Sequence, residues 1–221
     1  MITRYLPFVI VGLIALLSIA GGAVLYHTKR LPAPSAPKQT SLKEGTEGGH
    51  IRGPADAPVT LEEFGDYECP PCGSLAAPLN QLEHDYRPRL RMIFRNLPLV
   101  THLHARDAAR AAEAAGLQGR FWEMHDLLYK EQSTWSRAAD ARVLFSAYAG
   151  TLGLDLARFE RDRDSDKVKG RIADDEKRAS ALGVKTTPSI FINNQPVPPG
   201  GLHPFALRAT VDAATKPAAT P

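Results

Sequence analysis

An uncharged, apolar stretch over residues 5–26 constrains this chain more than any other feature of its sequence. The stretch reads YLPFVIVGLIALLSIAGGAVLY. As a helix rising about 1.5 Å per residue it covers about 33 Å, enough to cross a hydrocarbon core about 30 Å thick. A cleaved signal peptide is the alternative, but its apolar region usually runs for only about 7–15 residues. We therefore predict an uncleaved membrane anchor within residues 1–30.

A linker is predicted to separate this anchor from a folded domain. Residues 31–50, LPAPSAPKQTSLKEGTEGGH, are rich in Pro, Ser and Gly and show no apolar periodicity. The domain is predicted over residues 51–216, with a short tail over residues 217–221. The chain has 43% hydrophobic and 23% charged residues and a net charge of +3, without a basic run interleaved with aromatics. This composition is typical of a globular domain and gives no support for nucleic-acid binding.

The spacing of apolar residues within the domain predicts a mixed α/β order. Residues 59–64 and 89–95 alternate as strands do, with a helical stretch between them. Ala-rich segments with helical spacing over about residues 105–181 predict an inserted block of helices. The sequence then returns to a strand and ends in an amphipathic helix, at residues 189–193 and 203–216.

The chain has only two cysteines, Cys69 and Cys72, within the segment ECPPCG. A zinc site would need a second pair of ligands at a suitable spacing, and haem attachment would need a histidine where Gly73 stands. A structural disulfide remains an alternative, but one that closes so short a loop adds little stability. The spacing therefore favours a redox-active pair, and neither a metal nor another cofactor is expected.

A helix that begins at this motif would divide the chemistry between the two thiols. If Cys69 is the N-cap residue, the positive end of the helix dipole favours its thiolate, which makes it the nucleophile. Cys72, one turn further, would be more buried and would resolve a mixed disulfide. Glu63 shares a strand face with Val59 and Leu61, which predicts a desolvated carboxyl beneath the helix start that exchanges a proton with Cys72. The alternative for Glu63 is a solvated acid at a strand end.

Five further residues are assigned no role in the site. Glu62 is expected in solvent, as an acid near the end of a strand. His102 and His104 are expected to be structural or solvent-facing, because no third ligand is spaced to join them in a metal site. Phe121 and Trp122 are expected to pack in the core of the helical block.

Four segments occur in a fixed order: APVTLEEFGDYECPPCG, FRNLPLVTHLHARDAARAAEAA, QGRFWEMHDLLY and LGVKTTPSIFINNQPV. In this order they resemble the thioredoxin superfamily, and specifically DsbA and its membrane-anchored relatives, over about residues 50–214. The resemblance implies a thioredoxin fold with an inserted helical block, and the roles already given to the two cysteines and Glu63. It also implies a cis peptide bond before Pro188, where Thr187 would offer its backbone groups to a substrate strand.

The two prolines between the cysteines depart from the Cys-Pro-His-Cys motif of DsbA. Pro70 suits the first helical position, but Pro71 disfavours helical backbone in the residue before it. Together they remove two amide donors near Cys69, leaving mainly those of Cys72 and Gly73. We therefore expect a less stabilised thiolate, and a weaker oxidant, than in a Cys-Pro-His-Cys relative.

The sequence thus predicts a thiol:disulfide oxidoreductase held by a single span in a bacterial cell membrane. Cytosolic reductants would keep both thiols reduced, so the catalytic domain is placed on the extracytoplasmic side. The expected partners are cysteine-containing secreted or membrane proteins and a membrane redox partner that reoxidises or reduces the pair. Introduction of disulfides is the favoured activity. The alternatives are an extracytoplasmic reductase with the same residues and a tethered, chaperone-like binding module.

Overall fold

The computed structural model describes residues 48–216 of the chain. The predicted anchor, most of the predicted linker and the predicted tail lie outside the described residues. Within residues 48–216, the helices are too short or too polar to cross a membrane.

A mixed β-sheet forms the centre of the described part of the chain. Its strands are β1 (His50–Arg52), β2 (Val59–Gly65), β3 (Leu90–Asn96), β4 (Ser189–Ile192) and β5 (Gln195–Pro196). They lie side by side in the order β1-β3-β2-β4-β5. β2 and β3 are parallel, and every other neighbouring pair is antiparallel. β1 was not predicted, and its first residue, His50, was assigned to the end of the linker.

The helices occur where the sequence predicts them, on both sides of β4 and β5 along the chain. α1 (Pro70–Tyr86) joins the parallel strands β2 and β3, as a parallel crossover requires. α8 (Pro204–Thr215) follows β5 after a 3-10 turn at Pro199–Gly201. The inserted block between β3 and β4 comprises α2 (Ala105–Gly116), α3 (Phe121–Lys130), α4 (Gln132–Trp135), α5 (Ala141–Thr151), α6 (Leu156–Arg163) and α7 (Asp166–Ala181).

Helices cover the central strands on both faces, so β2 and β3 are buried almost throughout. On one face, Val59 and Leu61 of β2 belong to a core with Leu79 of α1 and Leu207 of α8. Inside the insertion, the small side chains of α2 form a second core with larger ones such as Trp135. The predicted core position of Phe121 is confirmed, and Trp122 packs at the edge of the same core.

The expectation that Glu62 lies in solvent is wrong. Its side chain is on the face of β2 that α7 covers, and the residue is only 4% exposed. Arg178 of α7 donates two hydrogen bonds to its carboxylate, at 2.6 and 2.7 Å. Arg95 of β3 donates a third at 2.9 Å and also pairs with Asp175 of α7 at 3.1 Å. Because these charges are paired, they can be buried between the sheet and the insertion.

Candidate active site

The two cysteines lie at the N-terminus of α1. Cys69 is the N-cap residue, with extended backbone angles (φ −71°, ψ 117°), and Pro70 is the first helical residue, as predicted. The backbone N–H of Cys69 donates to the carbonyl of Asp66 at 3.2 Å. The positive end of the α1 dipole therefore points at the Cys69 sulfur.

Both cysteines are free thiols in this structure, which is therefore the reduced form. The hydrogen bond that the Cys72 thiol donates lowers the pKa of Cys69 to about 6, although partial burial acts against this. Burial raises the pKa of Cys72 far above its ordinary value, and its hydrogen bond to Cys69 adds to the effect. Near neutral pH the pair thus holds one thiolate, at Cys69, and one thiol, at Cys72.

One detail of the predicted thiolate environment is wrong. Gly73 was expected to offer its amide to the Cys69 sulfur, but its N–H donates to the Cys69 carbonyl at 3.1 Å. This is an ordinary i to i−4 bond of the helix, which Gly73 is far enough along α1 to make. The backbone N–H of Cys72 is the amide that lowers the pKa of Cys69.

Glu63 is buried beneath the helix start, where the alternation of β2 predicts it. It is 1% exposed, and its Oε1 has no hydrogen-bond partner among the described residues. Burial, and to a smaller extent the negative charge of Cys69, raise its pKa to about 8. A carboxyl with such a pKa can both hold and release a proton near neutral pH.

The loop before β4 meets the N-terminus of α1. The peptide bond between Thr187 and Pro188 is cis, as the resemblance implies. The Cys69 sulfur lies 3.4 Å from the carbonyl oxygen of Thr187. The structure thus brings all five predicted site residues into one region, with Thr187 and Pro188 partly exposed beside the nucleophile.

Two side chains that sequence reasoning missed hold the loop before Cys69. Asp66 is buried and accepts hydrogen bonds from His102 Nδ1 at 2.7 Å and from the backbone N–H of Leu99 at 2.8 Å. Gln132 of α4 donates from Nε2 to the carbonyls of Tyr67 at 2.7 Å and Cys69 at 2.9 Å. An acid directly after a strand and three residues before a cysteine was a usable signal for Asp66, whereas Gln132 carries none.

The second histidine of the predicted pair has a structural contact. His104 is buried, and its Nε2 lies 2.9 Å from the carbonyl oxygen of Ala138. In the described part of the chain, no three or more His, Cys, Asp or Glu side chains cluster so as to hold a metal ion.

Comparison with known proteins identifies the family of this chain. Residues 45–212 match the thioredoxin family. A thioredoxin-like oxidoreductase from Silicibacter pomeroyi DSS-3 is 29% identical, with a TM-score of 0.67 over 83% of this chain and 100% of that chain. DsbA2 from Pseudomonas aeruginosa is 26% identical, with a TM-score of 0.58 over 75% of this chain and 93% of that chain.

A thioredoxin fold with a helical insertion and a Cys-X-X-Cys pair at a helix N-terminus defines a class of enzyme, the thiol–disulfide oxidoreductases. The chain belongs to the thioredoxin family and is a DsbA-like thiol–disulfide oxidoreductase of that family.

A further similarity is to part of a transport protein. The Na(+)/H(+) antiporter NhaA 1 of Salinispora arenicola is 44% identical over 147 residues, which are 66% of this chain and 22% of the antiporter. The chain spans about a fifth of the length of that relative. Antiport activity is therefore not attributed to it.

Proposed function

We propose that the chain introduces disulfide bonds into extracytoplasmic proteins through the Cys69–Cys72 pair. The observation that carries this proposal is the stabilised thiolate of Cys69, whose pKa the hydrogen bond from Cys72 lowers to about 6. A stabilised thiolate stabilises the reduced form of the pair, which makes the disulfide a better oxidant. The pKa of the corresponding cysteine is about 7 in thioredoxin and about 3.5 in DsbA. The pKa of Cys69 therefore lies between that of a reductase and that of a strong oxidase.

In the oxidising half-reaction, a substrate thiolate attacks the Cys69 sulfur of the oxidised pair. The bond between the two enzyme sulfurs breaks, and Cys72 leaves as a thiolate that takes its proton from Glu63. A second substrate thiolate then attacks the substrate sulfur of the mixed disulfide, and Cys69 leaves as the thiolate that helix α1 stabilises. The substrate loses two electrons, and the cysteine pair gains them.

Reoxidation uses the same groups in the opposite direction. The Cys69 thiolate attacks a disulfide of the membrane redox partner, and Cys72 then attacks Cys69 to release that partner in its reduced form. For this attack Cys72 must lose its proton. Burial opposes this loss, because it raises the pKa of the Cys72 thiol. Glu63, once ionised, is the buried base that accepts it.

Thr187 and Pro188 are proposed to position the substrate. The Thr187 carbonyl is 3.4 Å from the Cys69 sulfur, so a substrate strand that pairs with this backbone would carry its cysteine to the nucleophile.

A membrane anchor over residues 1–30, with the domain outside the cytosol, completes the proposal. It is supported by the apolar stretch of residues 5–26 and by the reducing conditions of the cytosol. A topology reporter fused to the carboxyl terminus tests it. Activity of the reporter only on the extracytoplasmic side is expected, and activity only in the cytoplasm would overturn the assignment.

The reduction potential of the full-length chain in detergent tests the direction of electron flow. Equilibration with glutathione buffers is expected to give a value between those of thioredoxin, about −270 mV, and DsbA, about −120 mV. A potential at or below that of thioredoxin would favour the reductase alternative.

Two matched variants test the role of each cysteine. Cys72→Ser is expected to accumulate mixed disulfides with client proteins through Cys69, whereas Cys69→Ser forms none. A Cys69→Ser protein that keeps full function in cells would instead support the chaperone-like alternative.

In the wild-type reduced protein, iodoacetamide at neutral pH is expected to label Cys69 faster than Cys72, since the thiolate is the reactive form.

A further inference from the structure

A buried acid lies in the short segment between β2 and the nucleophile. Asp66 follows the last residue of β2 and is three residues before Cys69, whose N–H donates to the Asp66 carbonyl. Its side chain is fully buried. The negative charge of Asp66 raises the pKa of Cys69 and thus opposes the hydrogen bond from Cys72 that lowers it. A positive charge beside Asp66 would weaken this opposition.

His102 is placed to supply that charge. It lies in the loop between β3 and α2, and its Nδ1 is 2.7 Å from Asp66 Oδ2. Its side chain is 25% exposed, so the ring can exchange its proton with solvent. Partial burial acts to lower the pKa of His102, but the hydrogen bond and the negative charge of Asp66 outweigh it, and the pKa is raised.

We propose that His102 is a positioning residue for thiol–disulfide exchange, whose protonated ring compensates the charge of Asp66 and thereby stabilises the Cys69 thiolate. The proposal rests on Cys69 being the attacking thiol. In this role His102 acts through Asp66, with which its ring pairs.

The other charged groups that face His102 act in the same direction. They are Glu68, in the segment between β2 and α1, and Cys69 at the start of α1. The Glu68 carboxylate accepts the backbone N–H of His104 at 2.6 Å, which keeps it beside the histidine loop. The charges of Asp66, Glu68 and Cys69 are all negative, and each favours the protonated ring of His102.

The oxidising power of the enzyme should consequently depend on pH. While His102 is protonated, its positive charge compensates the negative charge of the Asp66 carboxylate. The reduced, thiolate form of the cysteine pair is then favoured. As pH rises through the raised pKa of His102, the Asp66 charge becomes uncompensated, and the disulfide becomes a weaker oxidant.

The first test uses the wild-type, full-length protein in detergent and needs no substitution. If the His102 ring stabilises the thiolate, then by linkage the thiolate must stabilise the protonated ring. NMR titration of the histidine ring signals is expected to give a His102 proton affinity about tenfold higher in the reduced than in the oxidised protein. Identical titration of His102 in both forms would overturn the proposal.

The second test is His102→Gln, which can still donate a hydrogen bond to Asp66 but cannot be charged. The titration of thiolate absorbance near 240 nm is expected to move to higher pH. The equilibrium with glutathione is expected to shift about tenfold toward the enzyme disulfide. The matched control is His84→Gln, an exposed histidine near the far end of α1, which should change neither measurement.

The outcomes separate this proposal from the assignment of the nucleophile. If the wild-type protein shows no thiolate that forms below the ordinary pH range of cysteine, the role of Cys69 fails. If the wild-type thiolate forms at low pH and His102→Gln leaves both measurements unchanged, the role of His102 alone is overturned.

Discussion

Glu63 is a carboxyl group that water scarcely reaches, and this position should control one chemical step. We expect Glu63→Gln to slow the resolution of mixed disulfides at pH 7 by about 10²-fold, the lower range for loss of a general acid or base. The first attack by Cys69 should stay close to the wild-type rate, because its thiolate needs no proton acceptor. Stopped-flow measurement of both steps with a disulfide substrate distinguishes them. If both steps are indifferent to the substitution, Glu63 is not the proton relay.

The same carboxyl should reduce stability at alkaline pH. Its pKa is about 8 in the folded, reduced protein, against an ordinary value of 4.5. Because the folded state holds this proton more tightly than the unfolded state, stability falls as pH rises from about 4.5 to about 8. The full difference corresponds to at most about 5 kcal/mol.

Glu63→Gln is therefore expected to gain stability over the wild type as pH rises. Urea unfolding of both reduced proteins at pH 5, 7 and 9 measures the difference. A difference that stays constant across these pH values would contradict the assigned pKa.

Pro71 is the residue at which a donor could be restored near the Cys69 sulfur. It is exposed, so a larger polar side chain can be accommodated there. We expect Pro71→His to lower the pKa of Cys69 and to make the disulfide more oxidising by about 30 mV, which is tenfold in the equilibrium constant. Pro71→Ala, which restores the amide without an imidazole, is the control that separates the two contributions. An unchanged or more reducing potential in Pro71→His would indicate that the prolines serve rigidity or partner choice.

At the scale of the elements, the contact between α4 and the start of α1 links the insertion to the active-site loop. A Cβ added to Gly73 would lie 2.5 Å from Gln132 Oε1. The Gln132 amide cannot simply move away, because its Nε2 bonds the carbonyls of Tyr67 and Cys69. Gly73 is thus required by this close approach.

We expect Gly73→Ala to cost about 1–2 kcal/mol, roughly the value of the two hydrogen bonds that Gln132 would lose. In a Gln132→Ala background the same substitution should be neutral or stabilising, since alanine is the better helix former. A double-mutant cycle by urea unfolding gives the coupling directly. Additive effects of the two substitutions would show that the contact is unimportant.

The positions of the helices and strands were easier to predict from the sequence than the contacts between them. The alternation of apolar residues located β2, β3 and β4, and the cysteine motif located the start of α1, because both signals are local. The error at Glu62 arose because its partners, Arg95 and Arg178, are distant in sequence and on other elements. A usable signal was present, since Glu62 and Arg95 are charged residues within strands that also contain several large apolar residues. β1 was missed because three residues are too few for a period to be recognised.

At the scale of the whole molecule, buried ion pairs join the insertion to the sheet. Arg178→Met removes two of the hydrogen bonds to Glu62 and leaves that carboxylate with Arg95. We expect a loss of about 1–3 kcal/mol in the free energy of unfolding, since hydrogen bonds to a buried charge are involved.

The control for this prediction is Arg106→Met. Arg106 of α2 pairs with Glu176 of α7, the helix that also carries Arg178. Both side chains of this pair are substantially exposed. An exposed pair is worth about 1 kcal/mol or less, so this variant should unfold near the wild-type urea concentration. Equal losses in the two variants would show that burial adds nothing to the Glu62 pair.

The position of Asp175 and Arg178 on α7 also bears on how such a domain can be shortened or acquired. A minimal chain that joined β3 directly to β4 would lose both residues, and the face of β2 and β3 that carries Glu62 would no longer be covered. The insertion therefore cannot be removed as a loop could be, because it supplies one wall of the interior. In evolutionary terms, we expect the helices and the charged residues beneath them to be inherited as one block when relatives exchange genetic material.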